Sequence, residues 1–117
     1  MENYQRRIGF YQTERGQQPV TEWLDNLRDR KGRAQIRSKM DRLNLGNCGG
    51  CKSLGGGLYE LRIDFGPGYR VYFADAGNLI ILLLCGGDKS TQEKDIEVAR
   101  KYLSDYKKRT DENKAKR

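Results

Sequence analysis

Between Leu58 and Cys85 the chain carries three apolar-rich runs separated by turns built from glycine, proline, asparagine and aspartate. Leu58 to Asp64 is turned by Phe65-Gly66-Pro67-Gly68, and Tyr69 to Ala74 by Asp75-Ala76-Gly77-Asn78; Leu79 to Cys85 ends at Gly86-Gly87. Linkers this short leave no room for a crossover, so consecutive runs must fold back on one another as an antiparallel meander. A sheet is thereby required, and the rest of the chain has to cover it.

Ile8-Gly9-Phe10-Tyr11 is expected to form a first strand. Pro19 marks a helix start, and Val20, Trp23, Leu24 and Leu27 follow helical spacing, which places Trp23 in the core. Gly32 is expected to break this pattern before a second helix carrying Ile36, Met40 and Leu43 on one stripe. Gly46 to Gly57 holds six glycines and is expected to be a loop. A last helix is expected from about Thr91 to Tyr106, started by a Ser90/Glu93 capping box and packed through Ile96, Ala99, Leu103 and Tyr106. The order β-α-α-β-β-β-α gives an α+β fold. It predicts an antiparallel sheet of about four strands, with a helical hairpin and a C-terminal helix on one face. Residues 1–106 form the expected domain. Residues 107–117, with six basic and two acidic side chains, form a basic tail, either a frayed helix end or a disordered arm.

Composition narrows the chemistry. There is no histidine, which removes Ser-His-Asp triads, Cys-His pairs and His-ligated zinc. Any catalysis must use Lys, Arg, Tyr, Glu, Asp or Cys. The net charge of +7 predicts a polyanionic partner. Cys48-Gly-Gly-Cys51 lacks the further ligands that zinc needs, since Cys85 alone remains; incidental thiols in a flexible glycine loop are expected, with no metal and no cofactor. The N-terminus leads into no apolar stretch of signal-peptide length, and the longest apolar run is Leu79 to Cys85. A soluble cytoplasmic protein without membrane association is expected.

Strand alternation sorts the charges. Tyr59, Leu61 and Ile63 share one face with Tyr69, Val71 and Phe73, leaving Glu60, Arg62, Arg70 and Tyr72 on the opposite, open face. The third run is apolar on both faces, so it is central or covered, and it delivers Gly86-Gly87-Asp88-Lys89 to its end. Ordinary cross-strand ion pairs would account for part of this pattern. Arg62, Arg70 and Lys89 together, however, suit a phosphodiester: guanidiniums grip phosphate oxygens in pairs and stabilise a pentacovalent transition state. A lysine among other cations gives up its proton more readily. Lys89 is therefore a candidate general base toward a ribose 2′-OH, with Glu60 or Tyr72 supporting proton transfer. Arg30, Lys31, Arg33, Arg37, Lys39 and Arg42 make the second helix strongly basic and are candidates for RNA or ribosome binding.

The stretches Gly56-Gly57-Leu58-Tyr59-Glu60-Leu61-Arg62, Gly68-Tyr69-Arg70-Val71-Tyr72-Phe73 and Gly86-Gly87-Asp88-Lys89-Ser90-Thr91-Gln92 resemble the HigB-like branch of the RelE/ParE toxin superfamily. The resemblance covers the chain from about Gly9 to Tyr106, and its GGDKSTQ segment is the most specific part. It implies a RelE-like fold and a type II toxin that enters the ribosomal A site and cleaves mRNA. A cognate antitoxin, often a helix-turn-helix protein, would neutralise it. Arg62 and Arg70 match arginines of the family's catalytic face by strand position, and Lys89 matches a polar position after the last strand. Some relatives use histidine, a version of the mechanism closed to this chain. The ParE branch inhibits DNA gyrase without cutting RNA, so two activities stay open, beside a non-catalytic basic RNA- or ribosome-binding protein.

Overall fold

The computed structural model describes residues 7–44, 48–77 and 80–115. The expected strand residue Leu79, the turn residue Asn78, positions 46–47 of the glycine loop and the final two residues of the tail lie outside the described residues. The elements are β1 (Arg7–Phe10), α1 (Pro19–Asn26), α2 (Arg30–Asn44), β2 (Cys51–Gly55), β3 (Leu58–Ile63), β4 (Tyr69–Asp75), β5 (Ile80–Asp88), a single 3-10 turn (Lys89–Thr91) and α3 (Gln92–Ala115).

β3, β4 and β5 form the expected meander, with Glu60 opposite Tyr72, Arg62 opposite Arg70 and Arg70 opposite Gly87. Among the described residues the sheet nevertheless has five strands, in the order β1-β5-β4-β3-β2. β2 comes out of the glycine-rich segment expected to be a loop, and is held by antiparallel pairing with β3. β1 runs parallel to β5, Arg7 opposite Ile80 and Phe10 opposite Leu83, so the sheet is mixed. The intervening helices let β1 run in the same direction as β5. β5 thereby gains a neighbour on each side, as its apolar composition requires.

The helices cover both faces of the sheet, not one. α1 and α2 pack Val20, Leu24, Ile36, Met40 and Leu43 onto Leu61, Ile63, Val71, Phe73, Ile81 and Leu83. On the other face α3 packs Ala99 and Leu103, flanked by Ile96 and Tyr106, onto Leu58, Tyr72, Ala74, Leu82, Leu84 and Cys85. The cause lies in the second face itself, where Leu58, Ala74, Leu82 and Leu84 would otherwise lie in water. A shift of register at Tyr72/Phe73 puts Leu84 and Cys85 together in that second core. It also turns Gly86 toward Trp23 and Gly87 toward Asp95, where a β-carbon on either would run into those side chains.

Gly32 does not break the helices; it lies in the first turn of α2. The break falls at Leu27–Asp29, and Asp29 caps the new helix by accepting the Gly32 N–H at 2.9 Å. The other Asp29 oxygen accepts the Tyr69 hydroxyl at 2.8 Å, tying the start of α2 to β4. A β-carbon on Gly32 would lie 2.5 Å from Asp29 and 2.6 Å from the Tyr69 ring, so glycine is needed for this close approach. Trp23, half-buried, meets the same Tyr69 ring edge-on at 6.2 Å.

The expected Ser90/Glu93 capping box is replaced by Asp88, whose Oδ1 accepts the Ser90 N–H at 2.8 Å and the Ser90 hydroxyl at 2.5 Å. Ser90 is engaged by the residue before the turn and is not free to cap the helix. The expected tail continues α3 up to Ala115. Within it Arg109 donates to Asp105 and to the Gln12 carbonyl, and Asp105 also accepts the Tyr11 hydroxyl at 2.5 Å. This end of α3 is thus fastened to the chain just after β1.

Candidate functional site

Register brings Glu60, Arg62, Arg70 and Tyr72 onto one face of neighbouring strands, and β5 leads directly to Lys89. That face is not open as expected, because the first turns of α3 lie over it. Tyr72 is fully buried, Glu60 is 2% exposed and Arg70 7%. Arg62 and Lys89 are exposed.

One oxygen organises the buried part. Glu60 Oε1 accepts from Gln92 Nε2 at 2.8 Å and lies 3.5 Å from Arg70 Nε. The Arg70 contact is an ion pair without hydrogen-bond geometry, since Nε makes no hydrogen bond. The far end of the guanidinium is anchored separately, with Nη1 donating to the Gly68 carbonyl at 2.9 Å. Among the described residues the Tyr72 hydroxyl has no hydrogen-bond partner. Burial pushes its pKa well above the usual tyrosine range, and the charges of Glu60 and Asp95 add to the effect. Tyr72 is thus held as the neutral phenol at neutral pH. Cys85 beside it has its thiol pushed up to about 12 by burial and then by Asp95, which makes it an unreactive part of the core.

The exposed part gathers around the β3–β4 turn. Gly68, at φ +81°, brings the turn so close that a β-carbon there would lie 3.5 Å from Arg70 Nη1 and 3.7 Å from Lys89 Cβ. Arg70 and Lys89 therefore flank one glycine, and Arg62 sits across the strand pair from Arg70. Like charges directly opposite one another are unfavourable unless something neutralises them. Glu60 serves Arg70, while Arg62 has, among the described residues, Asp64 at 3.7 Å, with side chains 54% and 90% exposed, a contact worth little. A shallow hollow of about 500 Å³, lined by Lys89 through Lys94, adjoins this rim.

The helix cations lie in the other layer. On α2, Arg30, Lys31, Arg37 and Arg42 are exposed while Arg33 and Lys39 are half-buried, and none of the six is in an ion pair with a described residue. α2 nevertheless begins at the end of the sheet that holds the β3–β4 turn. Asp29 reaches Tyr69, and a β-carbon on Gly66 would lie 3.5 Å from Asp29 Oδ2. Arg30 and Lys31 thus start at the same end as Arg70 and Lys89. Arg37 lies beyond, where it lines a groove of about 680 Å³ between α2 and β1 with Arg7, Ile8, Phe10 and Met40.

Residues 22–104 match the family described as phage-derived protein, Gp49-like, which covers well over half of the chain. The chain belongs to this family. The matched span takes in every candidate residue named above and leaves out β1 and the last turns of α3. A Haemophilus influenzae protein described as uncharacterized is 49% identical over 78 residues, 67% of this chain and 79% of that protein. The Gp49-like family is toxin-like and of RelE type, in keeping with the α+β fold described above. Among the described residues no helix is long and apolar enough to cross a membrane.

Two residues of the candidate site carry no signal of their own in the sequence. Gln92 ends the GGDKSTQ segment but was given no role, because its partner Glu60 is distant in sequence. Lys52 was hidden in the glycine-rich stretch. As part of β2 it pairs with Glu60, on the same face, and is exposed. Only the strand pairing reveals it.

The C-x-x-C thiols also differ from the expectation of incidental cysteines. Cys48 and Cys51, with Cα atoms 5.6 Å apart, are joined as a disulfide. The turn they close places the Gly50 carbonyl where it accepts the Arg62 N–H at 3.2 Å.

Proposed function

We propose that this Gp49-like protein is a type II toxin of the RelE/ParE superfamily, HigB-like, that cleaves mRNA on the ribosome without a metal. The observation that carries the reading is Arg70 and Lys89 on either side of Gly68, with Arg62 across the strand pair from Arg70, at the end of the sheet where the cationic α2 begins. Arg30, Lys31 and the further α2 cations would hold ribosomal or message phosphates, and Lys52 would extend the track across β2. Lys89 and Arg62 would contact the scissile phosphate. Arg70, held by Glu60 and Gly68, would supply a fixed positive field behind it.

In the reaction the ribose 2′-oxygen bonds to the adjacent phosphorus and the bond from phosphorus to the 5′-oxygen breaks. The 2′-OH proton passes to Lys89 as the general base, and the departing 5′-oxygen takes a proton from water. The products are a 2′,3′-cyclic phosphate and a 5′-hydroxyl. A cognate antitoxin, of the helix-turn-helix kind, would neutralise the toxin in the cytoplasm.

The burial of Glu60, Arg70 and Tyr72 favours a second reading, in which the same cations bind RNA or the ribosome without cutting. Gyrase inhibition is the third outcome. Induction in bacteria with primer-extension mapping of mRNA 5′ ends separates them. New cleavage sites in translated message, lost in Lys89→Ala, support the nuclease. Translation arrest with intact message supports the binder, and DNA damage with intact message supports gyrase inhibition.

A further inference from the structure

We propose that Gln92 is a positioning residue that sets the guanidinium of Arg70 through Glu60, making the start of α3 part of the site. Three elements meet at Glu60 Oε1: β3 supplies the carboxylate, α3 supplies the Gln92 amide at 2.8 Å, and β4 supplies Arg70 Nε at 3.5 Å. The carboxylate is 2% exposed, so water cannot stand in for the amide.

Of the two contacts, only that from Gln92 is a formed hydrogen bond; Arg70 Nε faces the same oxygen without one. Gln92 therefore fixes where Glu60 points, and Glu60 in turn fixes one end of Arg70. Gly68 O fixes the other end, beside Lys89. Loss of the amide leaves the carboxylate free to turn, and Arg70 is then held at one end only.

Glutamine suits this task because it donates to a carboxylate without adding charge. A glutamate at position 92 would set two carboxylates against each other in a buried place. Its damage should be undone by the exchange Glu60→Gln with Gln92→Glu, which preserves one amide, one carboxylate and a counter-charge for Arg70.

Two readouts test the proposal: the Arg70 Nε–H resonance of labelled protein, and cleavage of message on ribosomes, which rests on the nuclease reading above. Gln92→Glu should shift the resonance and lower cleavage turnover about tenfold or more, ribosome affinity staying within about twofold. The double exchange should recover most of both losses. An unmoved resonance in Gln92→Glu, or a double variant no better than Gln92→Glu alone, overturns the proposal. A thermal-melting control excludes unfolding, and the milder Gln92→Ala repeats the test if Gln92→Glu does not fold. If wild-type protein cuts no message, the nuclease reading falls, while the resonance still decides what Gln92 does.

Discussion

The two faces of the sheet are packed on different terms. Under α1 and α2 the packing is apolar apart from the Asp29–Tyr69 hydrogen bond at the start of α2, with Leu24 and Ile36 against Leu61, Val71 and Leu83, all close to fully buried. Under α3 the same kind of packing, Leu103 and Ala99 against Leu82 and Leu84, gives way at the start of the helix to Glu60, Arg70, Tyr72 and Gln92. A buried ion pair adds little net stability compared with apolar packing, and is costly once half of it is lost. The first face holds the fold together, whereas the second gives up packing to hold a charge in place, as functional sites do.

The largest test of this contrast is Glu60→Ala. Removal of the carboxylate strands Arg70, 8% exposed at its side chain, and should cost about 3–5 kcal/mol in chemical denaturation. Replacing both members, Glu60→Leu with Arg70→Met, should cost less than the single change while abolishing activity. If the single change is harmless, the two faces do not differ as described. Ile36→Ala in the apolar face should cost about 2–5 kcal/mol by the same measurement, with activity per folded molecule unchanged.

Gly86 and Gly87 compare the faces with one added carbon each. Gly86→Ala pushes on the packed Trp23 ring and should cost about 1–3 kcal/mol. Gly87→Ala meets the Asp95 carboxylate and the Thr91 hydroxyl, which can swing away, so its stability loss should be the smaller of the two. Because Thr91 and Asp95 stand on either side of Gln92, its activity loss should be the larger.

The smallest expected effect is the acid dependence of Asp29. The Gly32 N–H and then the Tyr69 hydroxyl hold its carboxyl below the usual range. A pKa lowered in the folded state gives stability that is present above the unfolded value and lost as pH falls through the folded one. Below about pH 4 the melting temperature of wild type should therefore fall more steeply than that of Asp29→Asn.

Much of the fold could be read from local pattern. β3 and β4 followed from alternation between turns, β5 from its two apolar faces, and α1 from Pro19 and the spacing of Val20, Trp23 and Leu24. What could not be read depends on partners remote in sequence. β2, with glycines before and after it, is a strand only because β3 pairs with it. The side taken by α3 was implicit in Ala74, Leu82 and Leu84, which needed cover, but helical spacing alone does not say which face a helix chooses. For the same reason Glu60 and Arg70 were expected in the open, and Gln92 was passed over. The exposed positions of Arg62 and Lys89, in contrast, needed no knowledge of distant contacts.

β1 pairs in parallel with β5, residues 7–10 against 80–83, although β1 emerges first during synthesis. It cannot take its place until residues 80–83 have been made, and a contact so distant in sequence closes slowly. Gln92 comes later still, and Arg109, which fastens α3 near β1, later again. A nascent chain therefore carries its cations long before they are arranged, and the arrangement arrives only with α3.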